Sequence, residues 1–462
     1  MRIEGTFLKS VLPDVIFAGD RDPVFGRFAI DSRLVTPRAT FVACRGAQVD
    51  GHDFINDAVA RGATGIIMMK KRRDIVESLP RDILNKISIA LVDSPEETLI
   101  VLAAAWRSQF SIPLVGVTGS LGKTSTKEMI AAMARAAGKS CLMSEGNYNT
   151  LVGAALTLLQ LKPEHQCAVV EMGISEPGEM ARLAALVKPT MGVITLVAHQ
   201  HMDALGQIAD IAAEKRQIFK FFKPDNIGFV NGDQPILSAI SYSHPVVKFG
   251  YKTTNQIQAR RVTFGSASIS AFFKIYRERY AVELQTAHQG RLLHALASAG
   301  PACFLGVPNE CIVDVIHQFN AVPGRFEQLN LRSGQGIIIN DAYNANPESV
   351  REALVAFERL EVSGTKVAVL GDMLGLGAYS SFWHRQVGRF LRKAPSVSHV
   401  VLVGEHMAAA QKTVPLSVQT VLVPSWREVT VALEHIGLNN ELALLVKGSH
   451  GVGLENLVKQ LV

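Results

Sequence analysis

Short apolar runs recur along the chain, with room between them for a helix or a loop. They include "ATFVAC", "TGIIMM", "SIALV", "LVGVT", "AVVEMG", "MGVITLV", "GIIIN", "KVAVLGD", "HVVLVG" and "LALLVKG". None shows the strict polar–apolar alternation of a strand with one wet face. Such runs predict strands buried on both sides, and hence an α/β protein with mainly parallel sheets. Between them, "EETLIVLAAAWRS" and "STKEMIAAMARAAG" carry helical spacing. "IAAEKRQIFKFF" does so with apolar Ile211, Ile218, Phe219 and Phe222. Residues 247–285 read instead as alternating strands and turns, a β excursion within an otherwise α/β region. No repeat of solenoid period stands out.

Two interruptions divide this pattern. One is "SQFSIP" at 108–113 and the other "FNAVPGRFEQL" at 319–329, where Pro and Gly separate well-patterned segments. The expected domains are 1–110, 111–322 and 323–462, a division that 462 residues accommodate. Composition adds little. The net charge of +6 allows attraction to an acidic small molecule, but no recognition helix, zinc spacing or aromatic–basic interleaving supports nucleic acid. No segment has the length and apolarity of a signal peptide or a membrane span. The five cysteines lack paired metal-ligand spacing, which suits a reduced compartment, so a cytoplasmic protein is expected.

The chemistry begins at "LVGVTGSLGKTSTKEM". A strand candidate leads into a glycine-rich turn and then into an amphipathic helix that ends near Gly138. Gly119 and Gly122 free the backbone so that successive N–H groups, with those of Ser120 and Ser125, curl around phosphate oxygens. The helix N-terminus adds partial positive charge. Lys123 is then expected on the terminal phosphates and the Thr124 hydroxyl on Mg²⁺. The common phosphate-loop pattern would place another glycine at 117, where Val117 stands, so the loop belongs to a shorter-spaced class.

Three more stretches carry candidates. "VVEMGISEPGEM" ends a buried strand in Glu171, a carboxylate that needs a partner such as a metal if it stays buried. "GVITLVAHQHMDALG" ends a strand before His199 and His201, either of which could serve a metal or simply the fold. "GIIINDAYNANPESVREAL" ends a strand in Asp341, followed by Tyr343, Asn344 and Asn346. Asn346 and Pro347 are a natural N-cap and first helical residue. Asp341 stands where open α/β sheets bind ligands, and is expected on ribose or other hydroxyls.

"TGSLGKTSTKEM" resembles the ATP loop of the Mur ligases, and other segments extend the likeness from about residue 5 to the C-terminus. "DAYNANPES", "GNYNTLVGAALTLL" and "VLGDMLGLG" are similar to the dipeptide-adding branch of that family. "PGRFE" and "LVKGSHGVGLENLV" resemble its third-domain segments, and "AIDSRLVTPRATFVACRGAQVDGHDF" resembles its uridine-nucleotide segment. The resemblance implies three α/β domains: an N-terminal uridine-nucleotide domain, a central phosphate-loop ATPase-like domain with a parallel sheet, and a C-terminal Rossmann-like domain. It implies an ATP-dependent ligase that uses Mg²⁺ and acts, as a monomer, on two small molecules, UDP-N-acetylmuramoyl-tripeptide and D-alanyl-D-alanine.

By the same resemblance Arg325 reaches the ATP phosphates, and Tyr343 and Asn344 lie at the nucleotide. Asp31, Ser32, Arg33, Asn147, Asn149 and Asn346 bind substrate. Lys447 is a candidate partner for the dipeptide carboxylate. The separation of His201 and Lys215 matches that of a metal-site histidine and a carbamylated lysine, which selects His201 over His199. A carbamate turns a cation that repels Mg²⁺ into a carboxylate on a long stem. Departures from the family pattern stand at Leu196, at Gly290 in "HQGRLLHALASA", at Gly375 and at His450.

Overall fold

The computed structural model describes residues 2–18, 23–46, 49–332, 334, 336–435 and 441–462. Its chain divides into two compact units. The first comprises Met1–Gly116, Lys139–Gly173 and Ala181–Pro189, and the second Val117–Gly138, Ile174–Met180 and Thr190–Val462.

The first unit is built on a five-stranded sheet ordered Ile16–Ala18, Ser88–Val92, Gly65–Met69, Thr40–Val42, Phe28–Ala29. Its first pair is antiparallel and the others parallel. Phe41, Ile66, Met68, Ile89 and Leu91 form the core on one face. The "DGH" triplet is a structural lock. His52, buried, contacts Asp50 Oδ1 through Nδ1 at 2.6 Å and accepts the Met69 N–H at Nε2 (3.0 Å), tying the loop to a strand end. The helix Pro95–Arg107 starts on Ser94, whose hydroxyl accepts from Glu97 N, with Pro95 in its first turn. Arg107 closes the unit by donating to the carbonyls of Val187, Phe110 and Lys188. The strand Cys167–Glu171, paired in parallel with Cys141–Met143, brings Glu171 to a strand terminus.

The second unit holds two sheets. In one, Met191–Ile194, Ile227–Asn231, Val246–Gly250 and Ile257–Phe264 run parallel, and Ile269–Ile275 and Glu278–Leu284 continue as an antiparallel meander. That meander is the β excursion expected at 247–285. The other sheet has the order Glu327–Asn330, Gly336–Asp341, Leu442–Lys447, Thr365–Gly371, Val397–Val403, Gln419–Val423. All its pairs are parallel except the first. Its strands are wrapped on both faces. Ala368, Leu370 and Leu402 pack with Val350, Leu354 and Phe357 of the helix Pro347–Arg359. Their neighbours Val367, Val369 and Val401 pack with Val429, Leu454 and Leu457 on the opposite side. Side chains alternate between faces, so continuous apolar runs are what two covered faces require. Asp341 and Lys447 end neighbouring strands and stand opposite each other in register.

Candidate active site

The loop between the strand Leu114–Thr118 and the helix Lys123–Ala136 has the geometry of a phosphate cradle. Gly119 and Gly122 take φ of +149° and +79°, which side-chain-bearing residues rarely adopt. Space excludes a side chain too: a Cβ would lie 1.9 Å from Thr195 Oγ1 at Gly119 and 2.3 Å from the His294 ring at Gly122. Ser120 is fixed rather than offered to a ligand. Its N–H donates to Leu196 O (2.6 Å), and its Oγ donates to Ala198 O and accepts from Ala198 N. Lys123 Nζ lies over the turn, donating to Gly119 O at 2.8 Å. Thr124 and Ser125 begin the helix and are largely buried.

Residues distant in sequence meet this loop. Arg325 Nη2 donates to Thr124 Oγ1 at 3.2 Å, and its guanidinium lies 3.4 Å from the centre of the Tyr343 ring. Tyr343 stacks in turn towards His450, with ring centres 6.0 Å apart. Lys447 Nζ donates to Asp341 Oδ2 (2.7 Å) and Asn344 O (3.0 Å), and Asp341 Oδ1 accepts the Phe326 N–H (3.1 Å). Asp341 therefore joins the "PGRFE" turn to two strand ends. Asn346 caps the helix Pro347–Arg359, exchanging hydrogen bonds with Ser349.

His201 caps a short helix, Met202–Leu205, in a left-handed conformation with φ of +52°. Met202 N, next in the chain, donates to Gly375 O, which anchors this segment to the loop carrying the Gly375 departure. Burial lowers the His201 pKa, and the positive charges of Lys123 and Lys215 lower it further, favouring a neutral imidazole. His199 is engaged elsewhere: its Nδ1 pairs with Glu348 and its ring packs on Trp383. Lys215, in the helix Ile208–Arg216, is 2% exposed. Among the described residues its amine has no hydrogen-bond or ion-pair partner. Burial drives its pKa well below the ordinary value, and Lys123 adds to this against a weaker opposing pull from Glu214. That shift favours the neutral amine, the form that acts as a nucleophile.

The remaining sequence candidates lie in the first unit. Glu171 is buried. Its Oε1 accepts from Asn149 Nδ2 (2.9 Å), its N–H donates to Ser144 Oγ, and its Oε2 has no partner among the described residues. Asn147 is exposed. Asp31 caps the turn Ser32–Leu34 and makes a paired contact with the Arg33 guanidinium, which holds its carboxyl below the usual range. Ser32 is buried.

Spacing and motif did not single out Arg291 and His294. They stand one helical turn apart in the helix Gln289–Phe304, with His294 against Gly122. The signal available was their place in "HQGRLLHALASA", where the family pattern fails.

Comparison with known proteins accords with this geometry. Residues 27–110 match the Mur ligase family catalytic domain, 117–300 the Mur ligase middle domain, and 324–450 the Mur ligase glutamate ligase domain. The chain is 30% identical over 440 residues to the UDP-N-acetylmuramoyl-tripeptide–D-alanyl-D-alanine ligase of Escherichia coli, covering 93% of this chain and 92% of that protein. It is 29% identical to the Bacillus subtilis ligase of the same name, covering 94% and 92%. Among solved structures it resembles MurF from Acinetobacter baumannii, with a TM-score of 0.84 and 26% identity over 100% of this chain and 98% of that one. It also resembles MurF ligase from Thermotoga maritima in complex with ADP, with a TM-score of 0.77 and 28% identity over 94% and 96%.

Proposed function

This chain belongs to the Mur ligase family, and from that premise we propose that it joins D-alanyl-D-alanine to UDP-N-acetylmuramoyl-tripeptide at the expense of ATP. The observation that carries the reading is the convergence on loop 119–125. A glycine-shaped turn, Lys123 and Thr124 meet Arg325 and the Tyr343 of "DAYNANPES", the segment that most resembles the dipeptide-adding branch. Relatives of that name align over nearly the whole chain, and the A. baumannii MurF superposes along all of it. Domains at 1–110, 111–322 and 323–462 accord with the three matched segments. Both nucleotide substrates suit a cytoplasmic enzyme, which we take to be a monomer.

A carboxylate resists attack by an amine until one of its oxygens becomes part of a leaving group. In the proposed reaction an oxygen of the tripeptide's terminal carboxylate attacks the γ-phosphorus of ATP. A P–O bond forms as the bond to ADP breaks, giving an acyl phosphate. The dipeptide amine then attacks the acyl carbon, and the tetrahedral intermediate expels inorganic phosphate as the amine loses its proton. Lys123 and Arg325 supply fixed positive charge where the phosphoryl oxygens gather negative charge. Tyr343 holds the Arg325 plane in place, so orientation is set before reaction. Lys447 spends two of its three N–H groups on Asp341 and Asn344, and the third is our candidate for the dipeptide carboxylate.

The residues present fit Mg²⁺. In the second unit the Thr124 hydroxyl is a hard oxygen donor of the kind Mg²⁺ takes, and a carbamate on Lys215 would be another; in the first unit Glu171 keeps a buried oxygen without a partner among the described residues. When bound, Mg²⁺ would offset charge on the phosphates. The lowered proton affinity of Lys215 supports carbamylation, because only the neutral amine adds to carbon dioxide. His201, neutral in its pocket, can accept a hydrogen bond beside it.

The test is a coupled phosphate-release assay with UDP-N-acetylmuramoyl-tripeptide, offering D-Ala-D-Ala, D-Ala, L-Lys and meso-diaminopimelate in turn. Phosphate release should require both substrates and favour the dipeptide on kcat/KM. A single amino acid that wins removes the branch assignment, and substrate-independent release or none removes the ligase reading.

A further inference from the structure

The helix Gln289–Phe304 lies against the loop helix Lys123–Ala136: Ser298 Oγ donates to Thr126 O at 3.2 Å, and the His294 ring covers Gly122. One turn before His294, Arg291 is 8% exposed. Among the described residues its guanidinium has no hydrogen bond, ion pair or aromatic partner. The contrast with Arg107 is direct. That arginine is as deeply buried, at 6%, and spends its donors on three carbonyls. Arg107 is built into the fold, whereas the Arg291 fork, largely buried, meets no protein acceptor among the described residues. A buried charge without a partner destabilises a protein and persists where a ligand completes it.

The surroundings indicate the ligand's charge. His288 and His294 both feel the positive charge of Arg291, and His294 also feels that of Arg325, which reaches Thr124 of the loop. Burial above all pushes both histidines down to about 3, with the Arg291 charge adding to it, so they are neutral. Glu352 has a carboxyl oxygen 3.2 Å from where a Gly290 Cβ would stand. Burial raises its pKa to about 7, which makes it a poor counter-ion near neutrality. A neutral acceptor would leave the guanidinium charge uncompensated, whereas a phosphate offers two oxygens in the geometry of the fork.

We propose that Arg291 is a second arginine of the nucleotide site, and that it pairs with the phosphate chain of the nucleotide seated on loop 119–125. This rests on the reading of that loop as the ATP site. Arg325 and Arg291 then approach the phosphates from different elements, the turn after residue 322 and the helix Gln289–Phe304.

The experiment is calorimetric titration of MgADP and of adenosine into wild-type protein, Arg291→Met and Arg291→Lys, with thermal unfolding of each nucleotide-free protein. Methionine keeps the bulk and removes the charge. Arg291→Met should bind MgADP about ten- to a hundredfold more weakly, bind adenosine within about twofold of wild type, and show a shallower salt dependence for MgADP. Its nucleotide-free Tm should be unchanged or higher, since an unpaired buried charge has gone. Arg291→Lys keeps the charge but loses the fork, and should fall between the two. MgADP affinity within twofold of wild type in both variants overturns the proposal. Equal losses for adenosine and MgADP assign Arg291 to the base instead, and a Tm lowered by several degrees assigns it to the fold. If Arg291→Met does not fold, Arg291→Lys decides alone: affinity equal to wild type overturns the proposal. Wild-type protein that is folded yet binds no MgADP removes the ATP reading itself, an outcome separate from all of these.

Discussion

Lys215 and Lys447 are equally hidden, each 2% exposed, and their surroundings treat them in opposite ways. Lys447 ends a strand beside Asp341 and makes a buried ion pair with it, reinforced by Asn344 O. Lys215 sits in a helix without any such partner among the described residues, and the nearby charge that weighs most on it is another lysine, Lys123. One pocket satisfies an ammonium and the other repels it. The first arrangement organises the turns around Asp341, and the second favours the neutral form of the amine, the form that can be modified. Burial alone therefore does not distinguish a structural lysine from a chemical one. The partner does.

The sharpest way to break this contrast is the same substitution at both sites. Lys447→Met leaves Asp341 buried with, among the described residues, only the Phe326 N–H to accept, and should cost about 3–5 kcal/mol of stability. Lys215→Met removes an unpaired amine and fills the same space, so stability should stay within about 1 kcal/mol or rise. Urea unfolding midpoints of the two variants decide it. Similar losses at both sites would mean that Lys215 has a structural partner after all.

Activity should reverse the ranking. Lys215→Ala is expected to lower kcat by about 10²–10³, the range for removing a group that stabilises developing charge. Formate or acetate should restore part of it by occupying the place of the carbamate. Lys123→Ala should lose a comparable factor without rescue, because an added carboxylate cannot replace a cation. Rescue of Lys123→Ala, or none of Lys215→Ala, contradicts the roles assigned. So does near wild-type turnover in either folded variant.

A smaller effect lies in the pH dependence of stability. The fold disfavours the Lys215 ammonium, so between its lowered value and its ordinary 10.5 the unfolded chain binds more protons than the folded one. The destabilisation is complete below that window and fades as pH rises towards 10.5. In buffer free of carbon dioxide, the stability advantage of Lys215→Met over wild type should therefore shrink between neutral pH and about 10. A constant difference across that range places the amine in solvent.

The two lysines also show why the sequence is legible in some places and not others. Loop 119–125 reads directly because strand, glycines, lysine and helix are contiguous, and each local preference requires the same turn. The buried strands read well for a similar reason, and "GIIIN" and "LALLVKG" become neighbouring strands ending at Asp341 and Lys447. The short edge strand Glu327–Asn330, EQLN, carries no such run, because an edge needs little apolar surface. Lys215 could be flagged only by its separation from His201, since its lack of a partner depends on packing. The pairing of His199 with Glu348, and the absence of a protein partner for Arg291 among the described residues, depend on segments far apart in sequence, and no local pattern encodes them.

The smallest expected effect concerns the edge of the Lys447 side of the comparison. If Lys447 divides its donors between Asp341, Asn344 and the dipeptide carboxylate, a further cation at the rim should tighten that carboxylate without altering chemistry. The position after "KGS" is His450, whose ring is largely exposed, stacks towards Tyr343 and lies 3.6 Å from Glu455. An arginine there brings a permanent charge and a fork that matches a carboxylate, but in solvent such a pair is worth only about 0.2–1 kcal/mol. His450→Arg should therefore lower KM for D-Ala-D-Ala by roughly two- to fivefold, leave kcat unchanged, and leave KM for ATP unchanged. The split matters more than the size. A lower KM for ATP would move His450 to the nucleotide, beside the Tyr343 and Arg325 stack. A change in kcat would mean that the rim governs a step after binding. Only a KM effect confined to the dipeptide supports the division of labour assigned to Lys447, with a buried lysine held by its own aspartate and a surface residue setting how firmly the second substrate is kept.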